Sequence, residues 1–145
     1  MITVERRVPV HGDGNDPLRG LSDFAGAVDW FPDVRSSTQL NDDAPGPGTS
    51  WSVVSVRQGR HTEWTYTLDH REVDRVVFVG EGPVGTAIDE ICICRGREGD
   101  VLVYRACLRL RGAARLATLV TTRSFRRLVD ERARGLAVAV SRSRP

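Results

Sequence analysis

Two adjacent carboxylates, Asp89 and Glu90, interrupt the apolar stretch Ala87-Ile88-Asp89-Glu90-Ile91-Cys92-Ile93. Successive side chains of a strand point to opposite faces, so one of the two acids faces inward whichever register holds. A carboxyl on an apolar concave face loses hydration, and its pKa rises toward the range useful to a general acid or base near neutral pH. Asp89 is the favoured candidate because it shares its face with Ala87, Ile91 and Ile93; the opposite register would present Glu90 with Ile88, Cys92 and Cys94. A purely structural role, with the acid solvated or paired to a neighbouring arginine, stands beside the catalytic one. Tyr66 and Tyr104 fall on the apolar faces of their own segments. A buried phenol needs a hydrogen-bond partner, and in a cavity that partner can be a ligand.

Arg132 is the second anomaly, because it falls near the centre of a helical apolar face built from Phe125, Leu128, Val129 and Leu136. If that face meets a sheet, the guanidinium must find an acid, a ligand oxygen or solvent at a cavity rim. The simpler expectation is that its long stem carries the charge out to water. Other constellations are weaker. Cys92 and Cys94 share a strand face, but without a further Cys or His at ligand spacing they read as packing, so no metal is expected. His11, His61 and His70 fall in turns or strand ends with no nucleophile signature beside them. Gly80-Glu81-Gly82-Pro83-Val84-Gly85 opens no helix and is not a phosphate loop. No cofactor is expected.

These groups must be positioned by strands. In Thr62 to Leu68, Trp64, Tyr66 and Leu68 share one face and Glu63, Thr65 and Thr67 the other. A hairpin about Gln58-Gly59 brings Val53 beside Trp64 and Trp51 beside Tyr66, which puts Trp51, Val53 and Ser55 on the same inner face. The next turn adds Val76 and Phe78, and the last strand adds Tyr104 with Leu102, Ala106, Leu108 and Leu110. With Trp30 before Phe31-Pro32, and Phe125, Leu128 and Arg132 from the helix, this inner set is the expected ligand-binding wall. Any one of Trp51, Trp64 or Phe78 taken singly is better explained by a role in the core.

Along the chain, Ile2, Val4 and Val8 alternate with polar residues as in a half-buried strand. A short helical segment is expected from Asp16-Pro17 to about Ala27, closed by Trp30-Phe31-Pro32. Asn41 to Gly48 is the longest loop signal. From there to Leu110 the pattern predicts five strands in hairpin connection, with turns at Gln58-Gly59, Asp69 to Asp74, Glu81 to Gly85 and Gly96 to Asp100. After Gly112 the period becomes helical to about Val140. Leu116, Leu119 and Val120 oppose the Phe125 to Val140 face, so a kink or restart at Thr121-Thr122-Arg123-Ser124 is expected, with Ser124 as a cap.

The 145 residues are 40% hydrophobic and 28% charged, which suits one soluble globular domain over 1–145 and excludes a disordered chain. All 21 basic residues are arginine and are interspersed with acids, for a net charge of +2. That distribution lacks the basic stripe of a nucleic-acid binder. No apolar run approaches a bilayer span, no signal-peptide pattern opens the chain, and three cysteines make no disulfide framework. A cytoplasmic protein is expected.

The order of elements, together with the stretches Ile2 to Pro9, Asp29-Trp30-Phe31-Pro32-Asp33-Val34, Gly46-Pro47-Gly48-Thr49, Gly99 to Tyr104 and Leu108 to Gly112, resembles the helix-grip superfamily. This superfamily is also called START-like or SRPBCC, and the likeness is to its polyketide cyclase/dehydrase-like branch. The resemblance covers nearly the whole chain. It implies an α+β fold in which a curved seven-stranded antiparallel sheet wraps a long C-terminal helix, with two short helices after the first strand. It also implies a cavity for a hydrophobic small molecule. The expected activity is cyclisation, dehydration or aromatisation of a polyketide-like carbonyl compound. Asp89 or Glu90 would remove a proton α to a carbonyl, while Tyr104 or Tyr66 holds the developing enolate oxygen. An acyl carrier protein is a candidate partner, and the chain would be a monomer or homodimer. The alternatives are a noncatalytic binding or transfer protein for a lipid, quinone or other metabolite, and an interaction module with an exposed apolar groove.

Overall fold

The computed structural model describes residues 1–11 and 18–142. The expected helix start at Asp16-Pro17 lies outside the described residues. Strand β1 (Ile2–Val10) leads to two 3-10 turns, Arg19–Leu21 and Phe24–Gly26, and to one turn of helix, α1 (Ala27–Trp30). Asp23 opens the second turn by accepting the Ala25 amide at 3.0 Å. Phe31 then leaves the helix with extended backbone (φ −106°, ψ 109°), as the residue before Pro32 must.

Six further strands follow: β2 (Val34–Gln39), β3 (Ser50–Arg57), β4 (Arg60–Arg71), β5 (Arg75–Glu81), β6 (Gly85–Cys94) and β7 (Asp100–Leu110). They form one sheet with β1, in the order β1-β7-β6-β5-β4-β3-β2, and every pairing is antiparallel. Gln58 and Gly59 both take positive φ (52° and 77°), the turn whose twist matches the flanking strands. That turn sets Trp51 opposite Tyr66 and Val53 opposite Trp64, in the expected register. β4 runs on to Arg71 through a bulge between Leu68 and His70, so the turn before β5 is shorter than the sequence pattern implies. β2, whose mixed polar sequence gives no clear alternation, is set by pairing with β3.

A 3-10 segment (Gly112–Ala117) then leads into helix α2 (Thr118–Arg142). The expected break at Thr121 to Ser124 does not occur, and α2 passes through it uninterrupted. Leu116 is 92% exposed, so it makes no opposing apolar face that would require a break. The side chains of Leu119 and Val120 lie outside the described residues. Ser124 is not a cap, and its hydroxyl accepts a hydrogen bond from Arg57.

The face of α2 made by Phe125, Leu128, Val129, Ala133, Leu136 and Val140 is buried. α2 packs on β1, β7 and α1, and Arg6 of β1 pairs with Asp130. Phe24 fills the sheet's concave side beneath the first helices. It stacks on Tyr66 (centroids 4.6 Å, 15°) and meets Phe78 edge-on at 4.6 Å. Trp30, Phe31 and Trp51 complete this cluster at 6.0–6.1 Å from Phe24. Among the described residues, no helix is long and apolar enough to cross a membrane.

Candidate functional site

A cavity of about 500 Å³ lies between the concave face of the sheet and the first half of α2. Its inner end holds a network of buried polar groups, and every member comes from a different element. Asp33, just before β2, chelates Arg132 of α2 through Nε–Oδ1 at 2.8 Å and Nη2–Oδ2 at 2.7 Å. Ser55 of β3 donates to the same Oδ2 at 2.7 Å. The Arg132 guanidinium also lies over the Phe31 ring, 4.2 Å from its centroid. Nη1 reaches the Tyr104 hydroxyl at 3.4 Å and Asp89 Oδ1 at 3.6 Å. Tyr104 donates its hydroxyl hydrogen to Asp89 Oδ1, and Asp89 Oδ2, fully buried, has no hydrogen-bond partner.

Arg132 therefore does not reach water: it is 5% exposed, and the expectation of a snorkelling stem is corrected. A short distance to a carboxylate across the core, with an aromatic ring beneath, holds it inside. Two carboxyls face one guanidinium, and the pair that chelates leaves the other in surplus. Burial pushes Asp33 up, but the charge of Arg132 and the hydrogen bonds from Arg132 and Ser55 together hold it below the ordinary carboxylate value. Burial, with the charge of Asp33, also pushes Asp89 up, and here Arg132 and the Tyr104 and Tyr66 hydroxyls only moderate the rise. Burial and the nearby Asp89 raise both Tyr66 and Tyr104, so each phenol remains a donor.

The sequence-derived candidates separate into four groups. Asp89, Tyr66, Trp64, Phe125, Leu128 and Arg132 line the cavity. Tyr104 is fully buried behind Asp89 and reaches the cavity only through it. Trp30, Trp51, Val53 and Phe78 are buried inward and stand outside the lining of this cavity. For the three rings the physical reason is Phe24, which packs against Trp30, Trp51 and Phe78. Glu90 points to the outer face, where Arg75 binds it at 3.0 Å and holds its carboxyl low. The alternative register is thereby excluded. Cys92 shares that face, and burial pushes its thiol up to about 11.

Sequence reasoning does not single out Asp33, Arg57 or Arg60. Asp33 had one available signal, since an arginine on an apolar helical face demands an acid. Its position next to Pro32, outside any alternating pattern, hides which side it faces. The two arginines stand opposite each other across the Gln58-Gly59 turn, at the outer end of the cavity.

No protein-family model matches the chain, and no curated protein matches its sequence. Solved structures do match in shape. A START superfamily protein from Mycobacterium smegmatis superposes with a TM-score of 0.77 at 13% identity, over 97% of each chain. The Zhui aromatase/cyclase from Streptomyces sp. R1128 gives 0.74 at 17% identity, over 97% of this chain and 93% of that one. This chain has a START-like helix-grip fold. The di-domain aromatase/cyclase StfQ of the steffimycin pathway shares the grip with a TM-score of 0.74 at 16% identity, over 97% of this chain and 49% of StfQ. In this helix-grip chain β1 is tied to the middle of α2 through Arg6 and Asp130, and the cavity lies against Thr121, Ser124, Phe125, Leu128 and Arg132 of the same helix.

Proposed function

We propose that this helix-grip protein binds a hydrophobic carbonyl compound of polyketide type in its cavity and promotes ring closure with loss of water, using Asp89 as the acid and base. The observation that carries this reading is the Asp89 carboxyl, which lines an apolar cavity with one oxygen unpartnered and its ionisation pushed upward. Such a group holds a proton more readily than an exposed carboxylate does and is the stronger base when ionised, which suits it to both roles.

In the proposed reaction, the ionised Asp89 takes a proton from carbon α to a carbonyl. The electron pair moves onto the carbonyl oxygen, and the Tyr66 hydroxyl stabilises that enolate. The enolate carbon attacks a second carbonyl in the folded substrate, forming the ring bond and an alkoxide that takes up a proton. Asp89, protonated in the first step, supplies that proton to the alkoxide. The regenerated carboxylate then removes the remaining proton from the attacking carbon, whose electron pair forms the C=C bond and expels the hydroxyl, which leaves as water with the proton from Asp89. Tyr104 is a positioning residue, fixing the carboxyl through Oδ1 and leaving Oδ2 for chemistry. Trp64, Phe125 and Leu128 supply the apolar wall that folds the substrate and excludes water. The protein would act as one cytoplasmic domain, with substrate arriving free or on an acyl carrier protein.

The test is turnover of a linear poly-β-carbonyl thioester, followed by mass spectrometry of cyclised products. Asp89→Asn is expected to lower the rate by about 10²–10⁴-fold while leaving substrate binding in place. A folded Asp89→Asn protein that cyclises at the wild-type rate would overturn the mechanism, and binding without any turnover in the wild type would favour a carrier protein instead.

A further inference from the structure

The concave face of the β3–β4 hairpin carries a gradient of polarity. Its opposed pairs run Trp51/Tyr66, Val53/Trp64, Ser55/Thr62 and finally Arg57/Arg60. The last pair places two like charges directly across a ladder, an arrangement that destabilises a hairpin unless something offsets it. Among the described residues neither arginine makes an ion pair. Arg57 is half-buried and held by the Ser124 hydroxyl, a neutral partner, while Arg60 is exposed. Both line the cavity. Burial and the repulsion of Arg132 weaken the hold of Arg57 on its proton, and Asp33 and Glu131 offset this only in part.

The inner end has the opposite character. Arg132 is already chelated by Asp33 and covered by Phe31, so it offers no free charge to an anion. A ligand carboxylate there would be a third acid around one cation. Asp89 Oδ2 instead asks for a hydrogen-bond donor. The two ends are close enough for one small molecule. Ser55 bonds Asp33, Asp33 bonds Arg132, and Arg132 lies 3.6 Å from Asp89. Arg57 lies on the same face two residues beyond Ser55, about 7 Å further along the strand.

We propose that the cavity selects amphiphilic ligands in one orientation, with a neutral hydroxyl on Asp89 inside and an anionic group, a carboxylate or phosphate ester, between Arg57 and Arg60 at the mouth. This deepens the proposed function by naming the ligand's two ends, and it rests on that reading only for Asp89 as the inner contact.

Calorimetric titration of the wild-type protein with 6-hydroxy-2-naphthoic acid and with its methyl ester tests the outer site, and 6-hydroxy-2-naphthyl phosphate distinguishes the two anions. A charge-assisted contact at the mouth predicts that the better anion binds about tenfold tighter than the ester. This advantage disappears in the Arg57→Gln/Arg60→Gln double variant, whose fold is relieved of a like-charge pair. The advantage also shrinks with added salt in the wild type, while ester binding stays flat. 6-Methoxy-2-naphthoic acid, which cannot donate to Asp89, is expected to bind about tenfold more weakly than the hydroxy acid. Equal affinities for both anions and the ester, or an advantage that survives the double variant, would overturn the proposal. Neither result bears on turnover by Asp89, which is measured separately, whereas a wild-type protein that binds none of the four compounds overturns the cavity reading and this one together.

Discussion

Asp33 and Asp89 share one guanidinium and respond to pH in opposite senses. Asp33 ionises more readily in the fold than in the open chain, so its stabilisation is present above the usual carboxylate value of 3.8 and is lost as the pH falls below it. Asp89 holds its proton longer in the fold, so its contribution is unfavourable once the pH rises above 3.8 and grows until the native carboxyl itself ionises. Urea unfolding across this range is expected to show Asp33→Asn losing stability at neutral pH and flattening the acid limb. Asp89→Asn should gain stability at neutral pH while losing turnover, the usual opposition between a poised site and a stable fold. Arg132→Met leaves two buried carboxyls without a cation and is expected to cost about 3–5 kcal/mol. The Arg132→Met/Asp33→Asn pair should recover part of that loss, because the remaining acid can stay protonated. These particular residues were unequally legible. Asp89 stands out because it is the one charge on the strand face of Ala87, Ile91 and Ile93, although the pattern alone leaves Glu90 as the alternative. Asp33 does not, because its inward direction depends on where β2 docks.

The Gln58-Gly59 turn and the alternation of β3 and β4 are local, and so the register of that hairpin could be read from sequence. Which inward residues line a cavity and which fill the core depends on Phe24, delivered by a 3-10 turn from outside the sheet, and no strand pattern encodes that. The helix break expected at Thr121 to Ser124 is absent for a similar reason. Its logic needed Leu116 to be buried, and the chain instead leaves it in solvent. α2 meets α1 at Gly135, where an added Cβ would collide with the Trp30 carbonyl oxygen. Alanine is the better helix former by about 1 kcal/mol, yet overpacking here is expected to cost more, for a net loss of about 1–2 kcal/mol in Gly135→Ala. A melting temperature at or above wild type would show that the two helices can part without penalty.

At the level of the whole molecule, the cavity lies between sheet and helix, so a ligand bound there couples the two. A ligand at a hundred times its dissociation constant adds about 2.7 kcal/mol, which corresponds to a rise of roughly 5–10 °C in melting temperature for a chain of this size. Differential scanning fluorimetry with the hydroxynaphthoate would read it, and the Arg57→Gln/Arg60→Gln protein should show a smaller rise at the same concentration. The sheet order has a further consequence. β1 pairs only with β7, Ile2 standing opposite Leu108 and Val10 opposite Asp100. On a ribosome adding roughly 5–20 residues per second, the first strand made therefore waits roughly 5–20 s for its neighbour. Through that interval β2 to β6 can zip as hairpins, while the opening segment stays unpaired and open to chaperones, so assembly of this protein is timed by its last strand and not by its first.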